Sequence, residues 1–268
     1  MQLKFLSLAS GSSGNCYYLG NENHGILIDA GIATRTIRKN LKDNNIPFEN
    51  IVGLFVTHDH GDHVKSVGVL GEKCHIPVYT TEKVHQGIDR SRWVSDKLFQ
   101  SRRIIEKNKP VQLFGFSITP FEVPHDGIDN VGFHIQYNDL HVVFATDLGH
   151  IPDTVSEYLC MADYLILEAN YDDEMLQQGR YPHYLKNRIN GANGHLCNSQ
   201  TADFLVENYS EKLKHVFLCH LSKENNHPEL AFKTIEQRLA QIGIKVGKDL
   251  QLTILKRTTP TEIAFFES

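Results

Sequence analysis

The chain has no apolar run long enough to cross a bilayer, no CxxC pair, no internal repeat and no low-complexity tract. These absences exclude a helical membrane protein, a disulfide scaffold, a solenoid and a disordered chain. Five cysteines, Cys16, Cys74, Cys160, Cys197 and Cys219, are an odd number without close pairs, which suits reduced thiols. Residues 1–8 alternate like a strand and lack a secretory cleavage pattern, so a cytoplasmic location and no membrane partner are expected. A basic excess is also missing: 27 Lys and Arg face 32 Asp and Glu, for a net charge of −5. That argues against gripping nucleic acid through a broad basic face. Bound metal ions can supply positive charge where a phosphate is held.

What is present is ordinary globular composition, 41% hydrophobic and 22% charged, over 268 residues. The length suits one large domain, although two small ones would also fit. Short apolar runs bounded by turn residues predict strands at 3–8, 16–19, 25–28, 51–56, 78–80, 116–123, 131–137 and 141–145. Asn138-Asp139 makes a hairpin turn between the last two. Helical spacing marks 34–44, 64–73, 152–159, 198–208 and 228–242, with Asn198 as an N-cap. Strands return at 250–255 and 262–266. Strands and helices thus alternate in both halves, and each half ends in strands. Two sheets packed face to face with helices outside would satisfy that order.

The strongest chemical signal is Thr57-His58-Asp59-His60-Gly61-Asp62-His63, directly after the apolar run 51–56. Three imidazoles and a carboxylate at a strand-to-helix turn point to one centre, and nitrogen ligands with oxygen support suit borderline metals. A solvated His-rich loop has no reason to follow a buried strand so closely. Here the chain resembles the metallo-β-lactamase fold superfamily, whose signature is HxHxDH.

The resemblance implies a four-layer αββα sandwich, classed as α/β (α+β), spanning 1–268 as a single domain. It also implies a site assembled in chain order. Asp29 in Leu27-Ile28-Asp29-Ala30-Gly31 supports the metal-binding loop. His58, His60 and His125 hold one ion, Asp62, His63 and His220 the other, and Asp147 bridges them. Two divalent ions per chain are therefore expected. Zinc or manganese suits the mixed nitrogen and oxygen ligands, and iron is compatible. Ions that share a hydroxide lower its pKa and aim it at a phosphorus or carbonyl centre, so Asp62 counts as catalytic as well as a ligand.

Glu168, ending the run Tyr164-Leu165-Ile166-Leu167, and His195 in Gly194-His195-Leu196 match a pair found in superfamily nucleases such as RNase Z. There the histidine protonates the leaving oxygen and the glutamate orients it. Taken alone, Glu168 could be a strand end and His195 a helix-entry residue. The opening Ser10-Gly11-Ser12-Ser13-Gly14-Asn15 and the segment from His220 to Asn226 are similar to the YycJ (WalJ) family. That likeness implies a 5′-to-3′ DNA exonuclease using metal-bound hydroxide, with DNA ahead of RNA as partner. Cys197 departs from it, since serine is expected after Gly-His-Leu.

Expected substrate contacts are Ser10, Ser12, Ser13, Asn15, Ser222 and Asn225. Arg180 and Tyr181 join them from a substrate-facing insertion at 171–193, where cations interleave with aromatics. The same composition suits a solvated helical hairpin. Alternatives are a small-molecule phosphodiesterase for a nucleotide or cyclic phosphate, which fits the acidic balance, and a non-catalytic metal-binding scaffold. The full ligand set argues against the scaffold. Oligomeric state is left open.

Overall fold

The strands Cys16–Gly20, Gly25–Ile28 and Tyr164–Glu168 carry no polar alternation, and all three are buried on both faces. Strands of that kind need cover on each side. A computed structural model, which describes residues 2–267, supplies it with two seven-stranded sheets face to face and helices on both outer faces.

The first sheet holds β1 (Leu3–Ala9), β2 (Cys16–Gly20), β3 (Gly25–Ile28), β4 (Ile51–Phe55), β5 (Val78–Thr80) and β6 (Arg102–Ile104). The second holds β7 (Val111–Leu113), β8 (Phe116–Glu122), β9 (Val131–Tyr137), β10 (Leu140–Ala145), β11 (Tyr164–Glu168), β12 (His215–Cys219) and β13 (Gln251–Ile254). The closing strand β14 (Ala264–Phe266) returns to the first sheet and pairs with β1. Strand order is β14-β1-β2-β3-β4-β5-β6 in one sheet and β13-β12-β11-β10-β9-β8-β7 in the other. Each sheet begins with antiparallel pairs and continues with parallel ones, β3-β4-β5-β6 and β10-β11-β12-β13.

Side-chain alternation sorts the core into layers. In β10, Val142 and Phe144 face the opposing sheet while Val143 and Ala145 face helices. Phe5 meets Phe217 edge-on at 4.9 Å between the sheets, so truncating it to alanine should cost about 3–5 kcal/mol. Helices α1 (Thr34–Asp43) and α3 (Glu82–Arg90) cover the first sheet with Ile37, Leu41, Val84 and Ile88. Helices α4 (Asp153–Leu159), α7 (Asn198–Glu207) and α8 (Pro228–Gln241) cover the second. Among the described residues no helix is long and apolar enough to cross a membrane.

Three local expectations need correction. The helix expected over 64–73 forms but is interrupted: α2 (Gly61–Val64) breaks at residues 65–66, and the chain is helical again from 67, ending in wider π-type turns at Val69–Lys73. The cause is Ala30, whose N–H donates to His63 O at 2.8 Å and whose carbonyl accepts from Ser66 N at 2.8 Å. Both groups are thereby diverted from an intrahelical ladder. The N-cap of α7 is Cys197, not Asn198: Cys197 is extended, and its Sγ accepts from Gln200 N. Asn198 is already helical and donates its amide to Asn226 Oδ1. Finally α3, β6 and β7 add to the expected elements. The two strands are three residues long, lie at sheet edges and bury little, so their periodicity is weak.

Candidate metal centre

Strand direction gathers the site. β3 and β4 run parallel, as do β10, β11 and β12; β8 runs with β10 because both oppose β9. Their C-terminal ends lead into Asp29, His58, His125, Asp147, Glu168 and His220. Three of these residues turn the chain in the left-handed region: Asp29 at φ 58°, Asp147 at 55° and His220 at 56°. Such a conformation costs a residue with a Cβ about 1–3 kcal/mol and persists where neighbours enforce it. Here Asp29 N donates to Phe55 O at 2.8 Å, and His220 N donates to the Ser10 hydroxyl at 2.9 Å. Gly31 has no such freedom to vary: a Cβ there would lie 1.6 Å from Asp62 O, so only glycine lets the ligand loop close.

Each buried histidine of the candidate site has Nδ1 engaged by a fixed partner. His63 Nδ1 lies 2.7 Å from Asp29 Oδ2, His125 Nδ1 2.9 Å from Gly194 O, and His220 Nδ1 2.9 Å from Glu168 Oε1. His58 Nδ1 is 3.0 Å from the Thr57 hydroxyl, which also donates to Asp29. A proton held on Nδ1 leaves Nε2 as a lone pair, the usual outer support of a metal-binding imidazole. Nε2 of His58, His125 and His220 is buried with no hydrogen-bond partner. On the fourth, Asn15 Nδ2 points at His63 Nε2 from 2.9 Å, which again requires a lone pair there. Donor atoms of His58, His60 and His125 lie within 4.8 Å of one another, as do those of Asp62, His63 and His220. Asp147 groups with His58 and His63 on one side and with Glu168, His195 and His220 on the other. Unpaired lone pairs converging with carboxylates fit divalent metal binding.

The charge balance fits as well. Burial and the neighbouring imidazoles hold His58 well below the usual histidine range, and burial lowers His125. Burial also opposes the charge on His63 and His220, but the carboxylates around them prevail. His63 is pushed up by Asp29, Asp147 and Asp62, and His220 to about 10, chiefly by Asp147. Asp147 stays well below the carboxylate range despite full burial, because His220 and His63 face it. Buried carboxylates that force imidazoles to take up protons mark a place where a cation is wanted.

Glu168 and His195 come together, with a consequence not visible in the chain order. Glu168 is fully buried; its Oε1 lies 2.8 Å from His195 Nδ1 and 2.9 Å from His220 Nδ1. Its Oε2 accepts from Leu148 N at 2.9 Å and Leu196 N at 3.0 Å. Despite burial, the two imidazoles hold its carboxyl at about 2, with His195 the largest lowering influence. Burial opposes the charge on His195, and Glu168 raises it above the ordinary value. One carboxylate thus fixes both His220 and His195.

Of the expected substrate contacts, Ser10, Asn15 and Asn225 are buried. Ser10 is spent on His220 N and the Tyr17 hydroxyl, and Asn15 on Gly11, Tyr17 and His63. These two hold His220 and His63 in place. The Asn225 side chain packs against Gly179, whose Cβ would fall 2.6 Å from Asn225 Oδ1. Ser12, Ser13 and Arg180 are exposed, while Tyr181 and Ser222 are partly so. Within 171–193, α5 (Asp173–Gln178) and α6 (His183–Ile189) form, and Arg188 Nε donates to Asp126 Oδ2 at 2.5 Å. Asp126 Oδ1 lies 3.4 Å from both His60 and His125. Thr57 and Asp126 were missed as supports; their adjacency to His58 and His125 was the available signal.

A fold of this layering around such a centre defines a metal-dependent hydrolase. The β-lactamase superfamily domain matches residues 24–218. Full-length likeness narrows the class. The chain is 32% identical to the exodeoxyribonuclease YycJ of Bacillus anthracis over 99% of its own length and 100% of that protein. It is 34% identical to the exodeoxyribonuclease WalJ of Streptococcus pneumoniae, over 97% of each. The metallo-β-lactamase fold protein YhfI from Bacillus subtilis superposes with a TM-score of 0.71 at 16% identity, covering 97% of this chain and 99% of that one. The chain belongs to the YycJ/WalJ family of the β-lactamase superfamily.

Proposed function

We propose that this protein is a two-metal phosphodiester hydrolase that removes nucleotides from DNA in the 5′-to-3′ direction. The observation that carries this reading is the full-length similarity to YycJ and WalJ, both exodeoxyribonucleases, in a chain whose donor set has no gap. His58, His60 and His125 would hold one ion, Asp62, His63 and His220 the other, with Asp147 between them. Divalent ions there supply Lewis acidity toward a phosphoryl oxygen and lower the pKa of a water. Zinc or manganese suits the donors, and iron is compatible.

The chain's own residues do the rest. His195 is partly exposed, and Glu168 engages its Nδ1, so Nε2 is the nitrogen available to protonate the leaving oxygen. Glu168 keeps that ring in one tautomer. Ser12, Ser13, Arg180, Tyr181 and Ser222 would contact the substrate, which their exposure supports, with 171–193 as the substrate-facing insertion of a single domain. We place the activity in the cytoplasm, where the core thiols of Cys16 and Cys219 stay reduced.

The test is turnover by metal-supplemented protein on 5′-labelled and 3′-labelled DNA, on RNA and on bis-p-nitrophenyl phosphate. Mononucleotides released first from the 5′ end of DNA are expected. Turnover of the small diester without polymer cleavage would replace this reading with a small-molecule phosphodiesterase.

A further inference from the structure

Beside the metal centre lies a cavity of about 240 Å³ whose wall includes Ser12, Ser13, Asp62, Lys65 and Trp93. It shares Asp62 with the His63 and His220 cluster, which sets it beside the candidate reaction centre. The volume falls below the range of about 300–1,000 Å³ typical of whole small-molecule sites, and suits one unit of a polymer.

Trp93 is the only tryptophan in the chain. It is 52% exposed, in a protein that buries most of its large aromatic rings. The indole edge rests on Gly61 inside the HxHxDH motif: a Cβ at Gly61 would fall 2.5 Å from ring atoms Cδ1 and Nε1. The ring is therefore held against the ligand loop yet stays half-exposed, with the Arg92 guanidinium over it 5.0 Å from its centroid. Lys65 is exposed and has no carboxylate partner among the described residues. An aromatic platform, an unpaired cation and two exposed hydroxyls line one small cavity. Stacking a base needs the first, and holding a phosphate needs the others.

We propose that Trp93 stacks the nucleobase next to the scissile phosphate, and that Lys65 with Ser12 and Ser13 holds the phosphate attached to it. This makes Trp93 a substrate-binding residue that accepts any base, because every base offers a π face. It also explains how a chain of net charge −5 can hold a strand: one aromatic and one local cation replace a broad basic surface. The inference rests on the nucleic-acid reading above and deepens it.

The test uses the metal-loaded protein and a single-stranded DNA protected by phosphorothioate linkages, so that binding is read without cleavage. Trp93 is the sole indole, so a change in tryptophan fluorescence on titration reports this site and no other. Quenching that saturates with DNA is expected. Trp93→Ala should weaken binding roughly 5- to 150-fold, the range of one base–aromatic stack, and Trp93→Phe should recover part of it. An abasic sugar at the position facing Trp93 should weaken binding to wild type similarly, yet add nothing to the loss in Trp93→Ala. Wild type that binds DNA with unchanged fluorescence, or Trp93→Ala that binds as wild type does, overturns the stacking role while leaving the nuclease reading intact. Wild type that neither binds nor cleaves DNA refutes the nuclease reading and this inference with it.

Discussion

Replacing Glu168 with glutamine keeps the side chain's size and removes an acceptor from a network with none to spare. The carboxylate accepts from four donors, His195 Nδ1, His220 Nδ1, Leu148 N and Leu196 N, at 2.8–3.0 Å. Glutamine has one oxygen and one NH2 group. If the oxygen keeps the two backbone N–H groups, the NH2 faces two imidazole N–H groups. One buried donor left against another costs about 1–3 kcal/mol. The imidazoles can escape by moving their protons to Nε2, but His220 then loses the lone pair aimed at the ligand cluster. Loss of such outer support typically weakens metal binding about 10–100-fold, or roughly 1.4–2.7 kcal/mol. Glu168→Gln should therefore lose metal as well as turnover. Competition against a chromophoric chelator, with circular dichroism to check folding, reads the metal affinity directly. A Glu168→Gln protein that folds, binds metal as wild type does and is slow only in turnover would refute the shared role of this carboxylate.

Other outcomes follow from single contacts. His195→Ala should retain metal, since other residues complete both donor groups, while turnover of DNA falls about 10²–10⁴-fold. That defect should shrink on p-nitrophenyl esters, whose leaving group departs without a proton; an equal loss on both substrates would remove the general-acid role. Cys197→Ala should cost about 1 kcal/mol in thermal unfolding through the lost cap of α7, whereas Cys197→Ser should cost little. Burial depresses His134, with His141 2.8 Å away, and His215, each to about 4. The unfolded chain binds these protons from about pH 6.5, so their stabilisation is complete above that pH and lost as pH falls toward 4. At pH 5 each accounts for up to about 2 kcal/mol, roughly 1 after allowance for solvent screening. His215→Gln should flatten the fall in melting temperature between pH 7 and 5, and an unchanged slope would contradict this.

The layered fold and the histidine-rich core of the candidate site were legible in the chain because both are local patterns. A strand buried on two faces reads as an unbroken apolar run, and consecutive residues at its end cannot avoid one another, as at His58 to His63. The more distant Asp29, His125, Asp147 and His220 became legible only through their order in a known signature. Tertiary structure alone decided who supports whom. Ser10 looks like an exposed loop serine, yet its hydroxyl is spent 210 residues away on the backbone of His220. Glu168 looks like the partner of His195 alone, yet it equally holds His220, 52 residues on. The helix after the motif is broken at residues 65–66 because Ala30, on another strand's exit loop, takes the hydrogen bonds it needs there. Trp93 bears no motif at all and gains its place only where its loop folds onto Gly61. Periodicity and adjacency are properties of neighbours along the chain. Hydrogen-bond partners across stacked sheets depend on how the layers meet, and no spacing in the sequence records that.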